Sequence, residues 1–499
     1  MRLSWPPIPD RFALAAPLAA VLIVAACSRS DGDATPPPAP PPAATVTTTD
    51  DSQSETTAPD PDQPAATPTD DPPTSPDEES TETPSDDPPP SSDVTAETEP
   101  VPDDARLDLL IEITDPLDLA LLQRIGQTAG DRRGLPLLAD VPAFLIRRSD
   151  IDEFLLSFLD EDDRREADFI ETTYRLLGIF GADTEYLSLI EDLYTGLVLG
   201  FYDFDLESFV IVSSDDGIVS RDIDTITHEY VHALQDQHFD LRETFESFGS
   251  NSDQTLAFQF VIEGDARLAE QLLSDIEAEV AGQLPPASDR LPGTGGRIPI
   301  LLQAIFLAPY REGVSAINTI VNETDLGAIN TLLAQPPLST EQLLHLEKLA
   351  TGERPIPVPD PDAQPSLGAG WSLIHHDTLG EFFLRLLIDE ELSGSDANAA
   401  AAGWGGDRIA TYRSDTGETL LTWNLRWDNA DEGAEFLDAM FAWLDRRSDG
   451  AATDTANGAA RFWAGDDRSY WIQGDGDSAW ITIGTRADDV FRVAIAHTG

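Results

Sequence analysis

The sequence predicts an α+β protein, mostly helical with a small mixed or antiparallel sheet, followed by a second α+β portion. Three observations carry this. Apolar residues recur at intervals of three and four through most of residues 105–365, the mark of amphipathic helices. Short β-rich runs interrupt them at residues 106–114, 144–147 and 200–213. Beyond residue 366, alternating tryptophan-bearing runs flank one helical pattern.

Ahead of this come two segments that build no core. Arg2, Arg11 and the apolar run from Phe12 to Ala26 read as a secretory signal, residues 1–26. With Pro17 inside it, the run is short for a membrane span of about twenty residues. Small residues lead directly into Cys27, the only cysteine, and this arrangement resembles the lipobox of bacterial lipoproteins. The resemblance implies lipidation of Cys27 and a place on the outer face of a bacterial membrane, in the cell envelope. Residues 27–104 are Pro, Thr, Ser, Asp and Ala with Arg29 the one base. Such a stretch cannot bury a core and is expected to be a solvated, acidic tether.

Charge and cysteine usage exclude whole classes of function. A net charge of −62, with Lys348 the one lysine, argues against binding nucleic acid or anionic headgroups through charge. A single cysteine excludes an intrachain disulfide and a thiolate metal site, so any zinc must rest on His, Asp or Glu.

Within residues 105–365, taken as one domain, Arg106 to Thr114 and Phe144 to Arg147 read as strands, with a helix over Asp118 to Ile125 between them. Helices are expected over Ile151 to Phe158, over Arg165 to Phe180 with Gly181 closing it, and over Thr184 to Leu197. Val198 to Ser213 changes to a period of two on either side of Asp205-Leu206-Glu207, which predicts a hairpin.

Next comes His228-Glu229-Tyr230-Val231-His232. On a helix capped by Asp224 or Thr225, the two histidines stand about 40° apart round the axis and about 6 Å along it, so both rings can reach one zinc ion. Glu229 then points at a water beside the metal, as a general base. After a polar stretch with Phe245 and Phe248, a long helical pattern runs from Asp253 to Ala281. It carries Glu263 among Phe258, Phe260, Val261 and Ile262, where a buried carboxylate needs a partner such as a metal. Gly264 is expected to let this helix approach the motif helix. His238, six residues after His232, is an alternative third ligand, though continued helix would carry it about 240° away.

His228-Glu229-x-x-His232 followed by Glu263-Gly264-x-Ala266 resembles the gluzincin branch of the zincin metallopeptidases. Ile262 departs from the asparagine of the aminopeptidase members, and no Gly-x-Met-Glu-Asn segment is present. The resemblance covers Val198 to Ala281. It implies a zincin-like domain in which His228, His232 and Glu263 ligate zinc, Glu229 activates water, and Asp265 or Asp236 orients a ligand histidine. It further implies an edge strand that pairs with extended peptide, the alternative being a hairpin that merely covers the motif helix, and a Tyr or His donor for the developing oxyanion, for which Tyr310 and His345 are the candidates.

Residues 298–333 read as helical, Pro336 to Glu341 as the cap of another helix through Lys348, and 354–364 as a loop. In the C-terminal portion, residues 366–499, His375 and His376 precede a helix and are expected to be solvated or to cap it. Strands are expected over Leu420 to Trp427 and within 460–485, with a helix over Asp431 to Leu444 between them. The tryptophans are expected in the core rather than on a binding surface. The expectation is an exported, lipid-anchored zinc hydrolase acting on peptide or protein. Its alternatives are an envelope lipoprotein with a structural zinc brace, and a tethered binding protein without metal.

Overall fold

The computed structural model describes residues 107–156, 161–285, 298–455 and 458–496. The signal segment, Cys27 and the tether lie outside the described residues. The fold is α+β, with a four-stranded and a seven-stranded sheet.

The smaller sheet runs β1 (Leu110–Glu112), β2 (Ala143–Arg147), β4 (Ser208–Ser213), β3 (Gly200–Asp203), in that spatial order. β2 and β4 are parallel; the outer pairs are antiparallel. The expected hairpin forms with Tyr202 opposite Phe209, and Glu207 closes its turn at a positive φ. β4 is buried on both faces, which explains its unbroken Phe-Val-Ile-Val run. Phe209 and Ile211 pack with Tyr202 against Ile223, Ile226, Tyr230 and Leu234 of the motif helix. Val210 and Val212 face the opposite way, into the largest core.

Helices form largely where periodicity placed them, with informative differences. The helix after β1 extends over Pro116–Arg133, and Glu161–Leu177 is closed by Gly178 at φ 79° rather than by Gly181. Asp224 and Thr225 do not cap the motif helix, which spans Asp222–Phe239 and so starts before them. At its other end Asp240, at φ 48°, also caps a helix over Leu241–Phe248, where a polar stretch was expected. The long helix spans Ser252–Ala281, capped by the Asn251 side chain. Residues 298–333 are not continuous: Ile300–Ala308 passes through a π turn, Pro309–Gly313, into Val314–Glu323, then Leu326–Ala334. The helix expected through Lys348 breaks at His345 into Thr340–Leu344 and Leu346–Thr351.

The larger sheet is antiparallel throughout, in the order β5 (Trp371–Asp377), β6 (Trp404–Ser414), β7 (Thr419–Trp427), β11 (Ser478–Gly484), β10 (Ser469–Asp475), β9 (Ala460–Ala464), β8 (Thr453–Asp454). Alternation splits its side chains between two layers. Leu421, Trp423, Tyr470 and Ile481 pack with Phe436, Met440 and Trp443 of the helix Ala430–Arg447. Leu420, Tyr412 and Trp471 pack with Val490 and Val493 of the last helix. Trp404, Trp423, Trp427 and Trp443 are fully buried, as expected of core residues. His375 and His376 belong to β5 and are half-buried, and the helix Gly380–Asp389 that follows has no side-chain cap; His375 lies edge-on to Phe169. The largest core runs from Ile146 to Ile483, so it joins residues on both sides of position 366.

Candidate metal centre

The motif helix is buried nearly all round from Asp222 to Gln235, between the small sheet and the helix Ser252–Ala281. His228 and His232, one turn apart, stand with ring centroids 4.7 Å apart at 82°. Glu263 comes from the neighbouring helix: its Oε2 is 3.0 Å from His228 Nε2 and 3.7 Å from His232 Nε2. One donor atom from each of the three residues lies within 4.8 Å of the others, and all three residues are buried. His232 Nε2 makes no hydrogen bond, an orphaned lone pair that a cation would satisfy. Two imidazoles and a carboxylate are a donor set suited to zinc.

Charge in the centre is set by burial and by these neighbours. Burial disfavours the His228 cation, but hydrogen bonds to Glu263 and Glu270 outweigh it and raise the pKa well above the ordinary value. Burial also opposes ionisation of Glu263, yet His232 and His228 hold it down to about 2, in the anionic form a metal ligand requires. Glu229 is 1% exposed, and neither carboxylate oxygen has a hydrogen-bond partner of normal geometry. Burial pushes its pKa up to about 7, against the pull of His232, His228 and, more weakly, the Tyr202 backbone amide of β3. A carboxyl poised there can both take and return a proton near neutral pH.

The structure separates the remaining predicted residues. Tyr310 stands beside the centre on the π turn, its ring 6.4 Å from that of His228. His345 instead gives its Nε2 to Glu381 at 2.8 Å. Asp236 does not orient a histidine: it accepts from the Tyr202 hydroxyl at 3.0 Å and caps the Leu241 amide. His238 Nε2 meets the Pro136 carbonyl, away from the centre, because the helix continues past it. Asp265 acts at one remove, accepting from Gln235 Nε2, while Gln235 Oε1 faces His232 Nδ1 at 2.9 Å. Gly264 approaches the π turn rather than the motif helix: a Cβ there would lie 2.8 Å from the Gly313 carbonyl and 2.6 Å from Ile317.

Sequence reasoning missed two direct partners of the imidazoles. His228 Nδ1 meets Glu270 Oε1 at 2.6 Å, and Glu270 is in turn paired with Arg267. Glu270 lies two turns after Glu263, on the same helix face, and Gln235 one turn after His232, so helical spacing alone was the available signal.

Comparison with known families places one part of the chain: residues 372–494 match a family described as a domain of unknown function (DUF8575). That match covers β6 to β11, most of β5 and most of the last helix, and lies wholly C-terminal to the His/Glu centre. No curated protein and no solved structure matches the chain.

Proposed function

We propose that the protein is an exported, membrane-anchored zinc-dependent hydrolase whose substrate is peptide or protein. The observation that carries this is the buried convergence of His228, His232 and Glu263 beside a Glu229 carboxylate whose oxygens no side chain hydrogen-bonds. His228, His232 and Glu263 would hold zinc, which when bound polarises a scissile carbonyl and acidifies water. Glu229 takes a proton from the water as its oxygen bonds to the carbonyl carbon. The same carboxyl then gives that proton to the amine as the C–N bond breaks. Tyr310, beside His228, donates to the oxyanion that forms. β3 is the outer strand of the small sheet on the side of β4, the position at which an extended peptide would pair. Anchoring rests on Cys27 and the small residues before it.

A second reading, a zinc brace between two helices, is favoured by one observation: His228, His232, Glu229 and Glu263 are all 2% exposed or less. A catalytic zinc must admit water and substrate to its open position, and residues buried to this depth leave little surface for either. Glu229→Gln separates the two. Zinc retained with casein cleavage abolished supports the hydrolase. Zinc bound but no cleavage by the unsubstituted protein supports the brace, and no zinc bound by it overturns both.

A further inference from the structure

We infer that a buried chain, Arg133–Asp265–Gln235, is a positioning device for His232 that fixes the tautomer and direction of its ring and so sets how tightly the centre holds a divalent cation. This deepens the zinc reading above and rests on it.

The orientation of Gln235 decides the matter. Its Nε2 donates to the Ile262 carbonyl at 3.1 Å and to Asp265 Oδ2 at 2.8 Å. Turning the amide over would set its carbonyl oxygen against two acceptors, in a place where Gln235 and Asp265 are both fully buried. Gln235 Oε1 therefore faces His232 Nδ1, which must carry the proton. Nε2 is left bare, with its lone pair on the side of Glu263. Asp265 has little freedom of its own, since its other oxygen is ion-paired with Arg133 Nε, and Arg133 donates through Nη2 to Asn330 Oδ1 at 2.8 Å. Arg133 ends the helix Pro116–Arg133 and Asn330 lies on Leu326–Ala334, so the chain ties the ring to two elements outside the ligand helices.

A fully buried ion pair seldom gives net stability, because both ions lose their hydration. Arg133 and Asp265, at 1% and 0% exposure, accept that cost, which is intelligible if the pair holds Gln235 in one orientation. His228 is held differently, by the partly exposed carboxylate of Glu270 directly. The two imidazoles therefore meet partners of unlike charge: an anion behind His228, and behind His232 a neutral amide whose anion stands one step further back.

The test uses the full chain, loaded with Zn²⁺ or Co²⁺, and reads cation affinity by chelator competition together with the visible Co²⁺ absorption. Gln235→Leu removes the acceptor and is expected to weaken binding about 10–100-fold and to shift the Co²⁺ bands. Gln235→Glu, which when protonated can still accept from His232 and donate to Asp265, is expected to stay within a few-fold of the unsubstituted protein with its spectrum kept. Unchanged affinity and spectrum in Gln235→Leu would overturn the inference. So would equal weakening by both substitutions, which would mean that any change of packing there suffices. Failure of the unsubstituted protein to bind either cation sinks the zinc reading itself, a distinct outcome. If Gln235→Leu does not fold, Asp265→Asn serves in its place: its amide can turn to offer Gln235 either an oxygen or an NH₂, so loosened orientation and weaker binding are expected. Full affinity in that variant also overturns the inference.

Discussion

Glu229 and Glu263 are the same residue type, and their surroundings give them opposite characters. Glu263 lies against two imidazoles and is held at about 2, while burial pushes Glu229 up to about 7. Two outcomes follow at this scale. Glu263→Gln should reduce Zn²⁺ affinity by more than about 100-fold in chelator competition, beyond the 10–100-fold expected of a group that only orients a ligand. Tyr310→Phe should leave zinc content unchanged while lowering casein turnover about 100-fold, the usual magnitude for one lost oxyanion donor. The residues that bear charge at helical spacing were legible in the sequence: His228, Glu229, His232 and Glu263. Gln235 and Glu270 were legible in principle, since they lie about one turn after His232 and two turns after Glu263. Arg133 was not, because it reaches Asp265 from 132 positions away, and no local pattern encodes such a pairing.

At the scale of elements, the π turn Pro309–Gly313 decides where Tyr310 stands. Pro309 has no N–H to give to the helix ladder, and widening the turn by one residue accommodates it. Gly313 then lets the turn lie directly on the long helix, where a Cβ would come within 2.5 Å of the Phe260 carbonyl. Gly313→Ala should therefore lower unfolding free energy by about 1–3 kcal/mol despite alanine's better helix propensity, and thermal melts should show it as a reduced Tm. Periodicity found the helices and the hairpin because each has one buried face. It read residues 298–333 as simply helical, since a π turn has the same composition as the helix around it. It left out Leu241–Phe248 because an eight-residue helix offers only Leu241, Phe245 and Phe248 as apolar marks among polar residues, too short a run to stand out.

At the scale of the molecule, the helix Ser252–Ala281 is joined to the larger sheet through the buried carboxylate of Asp377, with the buried carboxylates of Asp253 and Asp407 close by. Asp253 accepts from Thr340, Asp377 from Ser252 and Thr378, and Asp407 from Leu379, Gly380, Trp404 and Trp423. Burial raises the Asp377 pKa to about 6. A carboxyl raised on folding contributes its stability fully below its unfolded value of about 3.9 and loses it as pH rises through the folded one. Asp377→Asn resembles the protonated form, so urea unfolding should find the variant gaining on the unsubstituted protein between about pH 4 and 6, by up to about 3 kcal/mol. No such drift with pH would show that folding does not raise the Asp377 pKa. The net charge of −62 makes a second expectation: Tm should rise with added monovalent salt as self-repulsion is screened, and a flat salt dependence would refute it.

The sequence by itself determined the α+β class, most element positions and the four residues at the heart of the centre, because period and spacing are local properties of the chain. Only the tertiary structure set Glu263 beside the two histidines and His238 against the Pro136 carbonyl, put Tyr310 beside His228 and His345 on Glu381, and assigned Asp236 to Tyr202 and Gln235 to His232. The physical reason is that a side chain's partner depends on which helix faces meet across the core, and packing settles that among segments far apart in the chain.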